Sequence, residues 1–196
     1  MSGAAANAQL VAVFFGMTAS GKSFLGRSWA ARHGFPYFNT DVVRKQLAGL
    51  KENEPQPSAV NDGIYSPAFT RRTYDAMIDK AELALQDPTN RCAVLDGSYL
   101  DPKERDKIRN SLGKKYQVIF VLCECGEDTV KTRLALRGND PNAVSDGRWE
   151  IYLHQQRAFL PPAELPPEQL LALNTEAPLE RLLSRLDAIL AQPSCH

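Results

Sequence analysis

The chain has 196 residues, 43% of them hydrophobic, and its 23 basic and 23 acidic side chains cancel to zero formal net charge. That length suffices for one substantial core, so a single domain over 1–196 is expected, and the neutral balance argues against a nucleic-acid coat or a membrane-surface protein while leaving room for a local basic groove. No apolar run approaches the roughly 18 residues that a bilayer-spanning helix needs, and the opening MSGAAANAQ has neither a basic start nor a long apolar core, which predicts a cytoplasmic chain without a membrane partner.

In chain order, LVAVFF at 10–15 reads as a buried strand, and a helical pattern over 22–33 opens at Lys22. Between them, GMTASGKS (Gly16 to Ser23) fits G-x-x-x-x-G-K-[ST] without a mismatch and lies where a phosphate-binding loop must lie. Glycines 16 and 21 permit the sharp backbone path, and successive N–H groups together with the positive helix end converge on phosphate oxygens. The expected nucleotide contacts are Gly16, Met17, Thr18, Ala19, Ser20, Gly21, Lys22, Ser23 and Phe24. Lys22 is expected to reach the β- and γ-phosphates of a polyphosphate, and the Ser23 hydroxyl to ligate Mg²⁺.

PYFN at 36–39 reads as the second strand and 40–49 as a helix carrying Asp41 and Arg44 on one face. Ligands of an open parallel sheet bind beyond the carboxyl ends of its strands, so this pair reaches the rim that holds the phosphate loop. A carboxylate there can take the proton of an attacking hydroxyl, and an arginine can hold an anionic part of the acceptor. The competing reading is plain helix capping, with Thr40 as N-cap and Asp41 as a first-turn acid. GLKENEPQPSAVNDG at 49–63 reads as an exposed loop, and the helix over 67–86 follows it. Tyr65, Phe69, Arg71 and Arg72 are candidates to line an acceptor pocket.

CAVLD at 92–96 delivers Asp96 to the same rim, where it either organises Mg²⁺ through water or holds the acceptor hydroxyl. The next residue, Gly97, stands where many motor ATPases carry a water-activating acid, which lowers a hydrolase reading. A helix over 102–112 carries Arg105, a candidate acceptor contact for which pairing on the surface is the favoured competing reading. After the strand 116–123, a helix over 127–136 carries Arg133, with Arg137 four residues on. Turn formers fill GNDPNAVSDG at 138–147, which is expected to form a short mobile lid, about 137–148, ending at Arg148. Arginines on a lid suit phosphoryl transfer, because the transferring group spreads negative charge over its equatorial oxygens. A helix over 147–158 leads to the proline-rich connector at 160–168, the last strand LLALN at 170–174 and a helix over 178–191. Cysteines 92, 123, 125 and 195 lack C-x-x-C spacing and read as reduced thiols near the core, and the three histidines are too scattered for a metal cluster. Strands alternating with helices predict an α/β fold, a parallel sheet of five strands with helices on both faces.

The ordered set GMTASGKS, NTDVVR, AVLDGSYLDPKERDKIR and TRLALRGNDPNAVSDGRWE resembles the P-loop kinases of the polynucleotide kinase and zeta-toxin branch, and especially small bacterial kinases related to gluconate and chloramphenicol kinases. The resemblance implies a P-loop NTPase sheet of order 2-3-1-4-5, ATP as donor and Asp41 as general base. In such kinases an aspartate-threonine pair beside the adenine ends the last strand; Asn174 and Thr175 stand there in this chain. The expected reaction is phosphorylation of a hydroxyl on a small molecule: a metabolite, a sugar-like compound or an antibiotic. The alternatives are a 5′-hydroxyl polynucleotide kinase, which the neutral charge disfavours, and a nucleotide-dependent regulatory module without an acceptor.

Overall fold

Side-chain alternation along the first strand organises the two layers of the core. A computed structural model describes residues 9–52, 54, 62–138 and 148–190, and the side chains of 137 and 138 are not among those described. In β1 (Leu10–Phe15) all six residues are buried, the mark of a central parallel strand covered on both faces. Val11, Val13 and Phe15 point to one side and join α3 (Pro67–Leu85) and α4 (Pro102–Leu112) through Met77, Ile78 and Ile108. Leu10, Ala12 and Phe14 point to the other and join α1 (Lys22–His33) and α7 (Leu179–Leu190) through Trp29, Leu183 and Leu186. A period of two thus sends consecutive residues of one strand into two separate clusters.

The sheet has five strands, all parallel, in the order β2-β3-β1-β4-β5, with β2 at Tyr37–Asn39, β3 at Cys92–Asp96, β4 at Gln117–Glu124 and β5 at Leu170–Asn174. β1 pairs with both β3 and β4, so its carboxyl end opens at the middle of the rim. The remaining helices are α2 (Thr40–Leu47), α5 (Glu127–Gly138) and α6 (Trp149–Ala158). Fold class, strand order and the elements themselves agree with the sequence reading. Among the described residues no helix is long and apolar enough to cross a membrane.

Three differences have local causes. The N-cap of α2 is Asn39 and not Thr40: its side chain accepts from the N–H groups of Asp41 and Val42, the preferred use of an asparagine before a helix. Short 3₁₀ turns at Gly63–Tyr65 and Pro167–Gln169 fall where no periodicity of strand or helix could announce them. Most of the expected loop at 49–63 and of the expected lid, 139–147, lies outside the described residues.

Candidate active site

The path of GMTASGKS is enforced by close neighbours. Gly16 takes φ +138°, and a Cβ there would lie 2.4 Å from the Cys123 carbonyl oxygen of β4. Gly21 takes φ +91°, and a Cβ there would meet Thr175 Oγ1 at 2.9 Å and the Arg133 guanidinium at 3.0 Å. Only glycine passes both points, since L side chains rarely accept that backbone region. Ala19, at φ 58°, is a non-glycine residue in the same region and is held there by packing against Val130 and Tyr152. The helix that follows has no side-chain cap and no acid in its first turn, which leaves its positive end to an anion. The Lys22 ammonium donates to the Met17 carbonyl (3.1 Å), so it rests against the first half of its own loop. Phe24 is 64% exposed at the loop's far end.

Beside the loop, the Asn39 side chain links the backbone at the start of α2, where Asp41 sits, to the Asp96 carboxylate. Asn39 Oδ1 accepts from Asp41 N–H (2.9 Å) and Val42 N–H (3.2 Å), which obliges its amide nitrogen to face the other way, where it donates to Asp96 Oδ2 (2.5 Å). The Tyr37 hydroxyl donates to the same Asp96 oxygen at 2.5 Å. Burial, and then the adjacent Asp96 charge, push the Tyr37 hydroxyl far above its ordinary range, so it stays a donor. Asp96 is fully buried, and its Oδ1 has no protein partner. An orphaned carboxylate oxygen at a strand end, with the Ser23 hydroxyl at the start of α1, suits a hard divalent cation such as Mg²⁺ held partly through water. The glycine after Asp96 is explained by contact with α2: a Cβ on Gly97 would lie 2.6 Å from Thr40 Cγ2.

The structure also brings Arg44 and Tyr65 together. The Arg44 guanidinium donates to the Ile64 carbonyl (2.8 Å) and Thr70 Oγ1 (3.1 Å) and lies 5.0 Å above the Tyr65 ring. Arg44 is 6% exposed and its Nε has no partner, so the residue joins α2 to the start of α3 in a wall beside Asp41. Arg71 and Arg72 are exposed, with Arg72 over the Phe69 ring.

Arg105 departs from the expectation of an acceptor contact, and equally from that of a surface pair. It is fully buried; Nε and Nη2 donate to the Glu164 carboxylate, Nη1 to the carbonyls of Tyr99 and Leu100, and Nη2 to that of Leu160. Its plane also covers Phe15 at 5.5 Å. All its donor groups are spent inside the protein, so Arg105 clamps the proline-rich connector to the turn after β3.

Arg133 is fastened to the loop rather than projecting from a lid: Nη1 donates to the Ala19 carbonyl (3.1 Å) and Thr175 Oγ1 (3.0 Å), and Nη2 to the Thr175 carbonyl (2.9 Å). The Thr175 hydroxyl in turn donates to the Ser20 carbonyl at 2.5 Å. Asn174 bonds to Glu176 through both its amide nitrogen and its carbonyl. The side chain of Arg137 lies outside the described residues. From α6, Tyr152 packs on Ala19 and Gln155 reaches Thr18, a contact that no sequence pattern announces. Asn39 escapes the sequence reading, which favours Thr40 as the cap, although an asparagine directly before a helix is the signal that could have found it. Cys123 and Cys92 are buried thiols; Cys125, half-buried, lies against the Ala19 carbonyl.

A glycine-framed loop between β1 and α1, in a parallel sheet of order 2-3-1-4-5, with carboxylates at the end of β3 and the start of α2, defines a P-loop protein of the small-kinase architecture. The chain belongs to the AAA_33 family (AAA domain), whose model matches residues 11–162. Its fold is shared with a gluconokinase from Sinorhizobium meliloti 1021 (TM-score 0.61, 19% identity, covering 95% of this chain and 93% of that one). It is shared also with a sugar kinase from Janibacter sp. (0.63, 16% identity, 94% and 95% covered) and the shikimate kinase of Aquifex aeolicus (0.55, 13% identity, 93% and 96% covered). In sequence, the chain is 28% identical over 138 residues to the uncharacterized protein Rv2004c of Mycobacterium tuberculosis; that match takes in 69% of this chain and 27% of the relative. The chain therefore spans about a quarter of the length of the curated relatives it matches.

Proposed function

We propose that the protein is an ATP-dependent kinase that moves the γ-phosphoryl group to a hydroxyl of a small molecule. The observation that carries this reading is the bridge through Asn39, which fastens the backbone of Asp41, at the start of α2, to the Asp96 carboxylate on the rim that carries Lys22. Lys22 and the loop N–H groups bind the β- and γ-phosphates, and Asp41 accepts the proton of the acceptor hydroxyl as its oxygen attacks. Ser23 and Asp96 would hold Mg²⁺, which would supply positive charge to the phosphates. Arg44 and Tyr65 wall the acceptor side. Arg133, committed to the Ala19 and Thr175 backbone, shapes the nucleotide site beside Asn174 and Thr175, and stabilising the transferring phosphoryl falls to Arg137, near the end of α5.

The zero net charge and the small-molecule names of the structural neighbours favour a small acceptor over a nucleic acid. The test incubates the protein with labelled ATP, Mg²⁺ and a mixed panel of sugars, nucleosides, aminoglycosides and 5′-hydroxyl oligonucleotides, then identifies labelled products by mass. A phosphorylated small hydroxyl compound supports the proposal. Labelling of oligonucleotides alone, with affinity falling steeply in salt, replaces it with a polynucleotide kinase. ATP binding without transfer to any acceptor replaces it with a regulatory module.

A further inference from the structure

Apolar packing and a directed hydrogen bond tie α6 to the phosphate loop. The Thr18 N–H donates to Gln155 Oε1 at 2.6 Å across 137 residues of sequence. The side chain lies three residues beyond Tyr152 and so on the same face of α6. Tyr152 is 3% exposed and is packed against Ala19 and Val130, and its ring stacks on Trp149, over which the Lys131 ammonium lies. The docking of α6 on the loop is therefore built from apolar packing and one directed hydrogen bond. Its place along the loop is given by Lys22, which reaches the β- and γ-phosphates in such loops and here rests on the carbonyl of Met17, the residue before Thr18. The Met17–Thr18 peptide thus marks the γ end, away from the helix start where the α-phosphate is bound.

Resting on the nucleotide reading above, we propose that Gln155 is a positioning residue for the γ-phosphate: by holding the Thr18 peptide, it sets the shape of the γ end of the cradle and so determines how strongly the protein prefers ATP to ADP. The amide supplies a neutral acceptor, which orients the peptide without setting a negative charge beside the phosphate.

The test needs no acceptor. Titration calorimetry with Mg²⁺-ATP and Mg²⁺-ADP is run on the wild type, Gln155→Met and Gln155→Glu, with melting temperatures alongside. Methionine keeps the length and loses the acceptor; ATP affinity is expected to fall roughly three- to tenfold, the scale of one hydrogen bond, while ADP affinity holds within about twofold and the melting temperature barely moves. Glutamate keeps an acceptor oxygen and adds a charge, so its ATP affinity falls further and recovers as salt screens the repulsion, again with little change for ADP. Equal losses for both nucleotides, or no loss in either variant, overturn the inference while leaving the kinase reading intact. A wild-type protein that binds neither nucleotide overturns both.

Discussion

Replacing Arg105 by methionine separates a structural clamp from an acceptor contact. Methionine retains most of the aliphatic stem but removes the guanidinium that lies over Phe15 and all five hydrogen bonds it makes, leaving the Glu164 carboxylate and the carbonyls of Tyr99, Leu100 and Leu160 without it. Breaking a buried ion pair from one side costs about 3–5 kcal/mol. The Glu164 side chain keeps 18% exposure, so water takes over part of its solvation and the lower end applies, about 3 kcal/mol. In a domain of this size each kcal/mol moves the melting temperature by about 2–4 °C, so Arg105→Met should melt roughly 6–12 °C below the wild type at neutral pH. The difference should narrow in acid. Burial pushes the Glu164 carboxyl up, but Arg105 and Arg109 more than offset this and hold it below its ordinary value. A group depressed in the folded state contributes fully above its unfolded pKa, about 4.3, and loses that contribution as pH falls through the lower folded value. The assay is thermal denaturation of both proteins at neutral pH and in a series descending below pH 4, together with ATP affinity measured well below either melting point, which should be unchanged. A melting temperature within about 2 °C of the wild type would refute the clamp and return Arg105 to the acceptor pocket.

Three further outcomes follow from the site. Lys22→Ala should abolish phosphoryl transfer with the fold preserved, since Lys22 is half-exposed on the rim; unchanged turnover removes the kinase reading. Asp41→Asn should lower turnover by on the order of 10²-fold while the melting temperature and ATP affinity hold, because the cap of α2 is Asn39 and survives the change; near-wild-type turnover would mean that Asp41 is not the base. Burial pushes the Cys92 thiol up to about 12 and the Cys123 thiol higher still, so neither should react with a thiol reagent at pH 8 in the folded protein, whereas half-buried Cys125 should label slowly; prompt labelling of Cys92 or Cys123 in folded protein would contradict their placement.

What could be read along the chain were features whose physics is local. The buried strand LVAVFF, the loop GMTASGKS and the helix from Lys22 are consecutive, and each follows from hydrophobic period, glycine geometry and helix-end electrostatics within about 24 residues. Asp41 and Asp96 were placeable on one rim because parallel strands deliver all their carboxyl ends to the same edge. Arg105 marks where such reasoning stops: an arginine on a helix otherwise rich in charge reads as surface or ligand contact, and only the return of the connector, 59 residues later in the chain, buries it against Glu164. The Asn39 bridge, the fastening of Arg133 to Ala19 and Thr175 and the reach of Gln155 to Thr18 are of the same kind. Each depends on hydrogen bonds between segments that no periodicity relates, and a hydrogen bond requires donor and acceptor within about 3 Å and in line. Residue type and spacing place a group on a face or a rim; which partner it meets there is decided only when the sheet and its covering helices have packed.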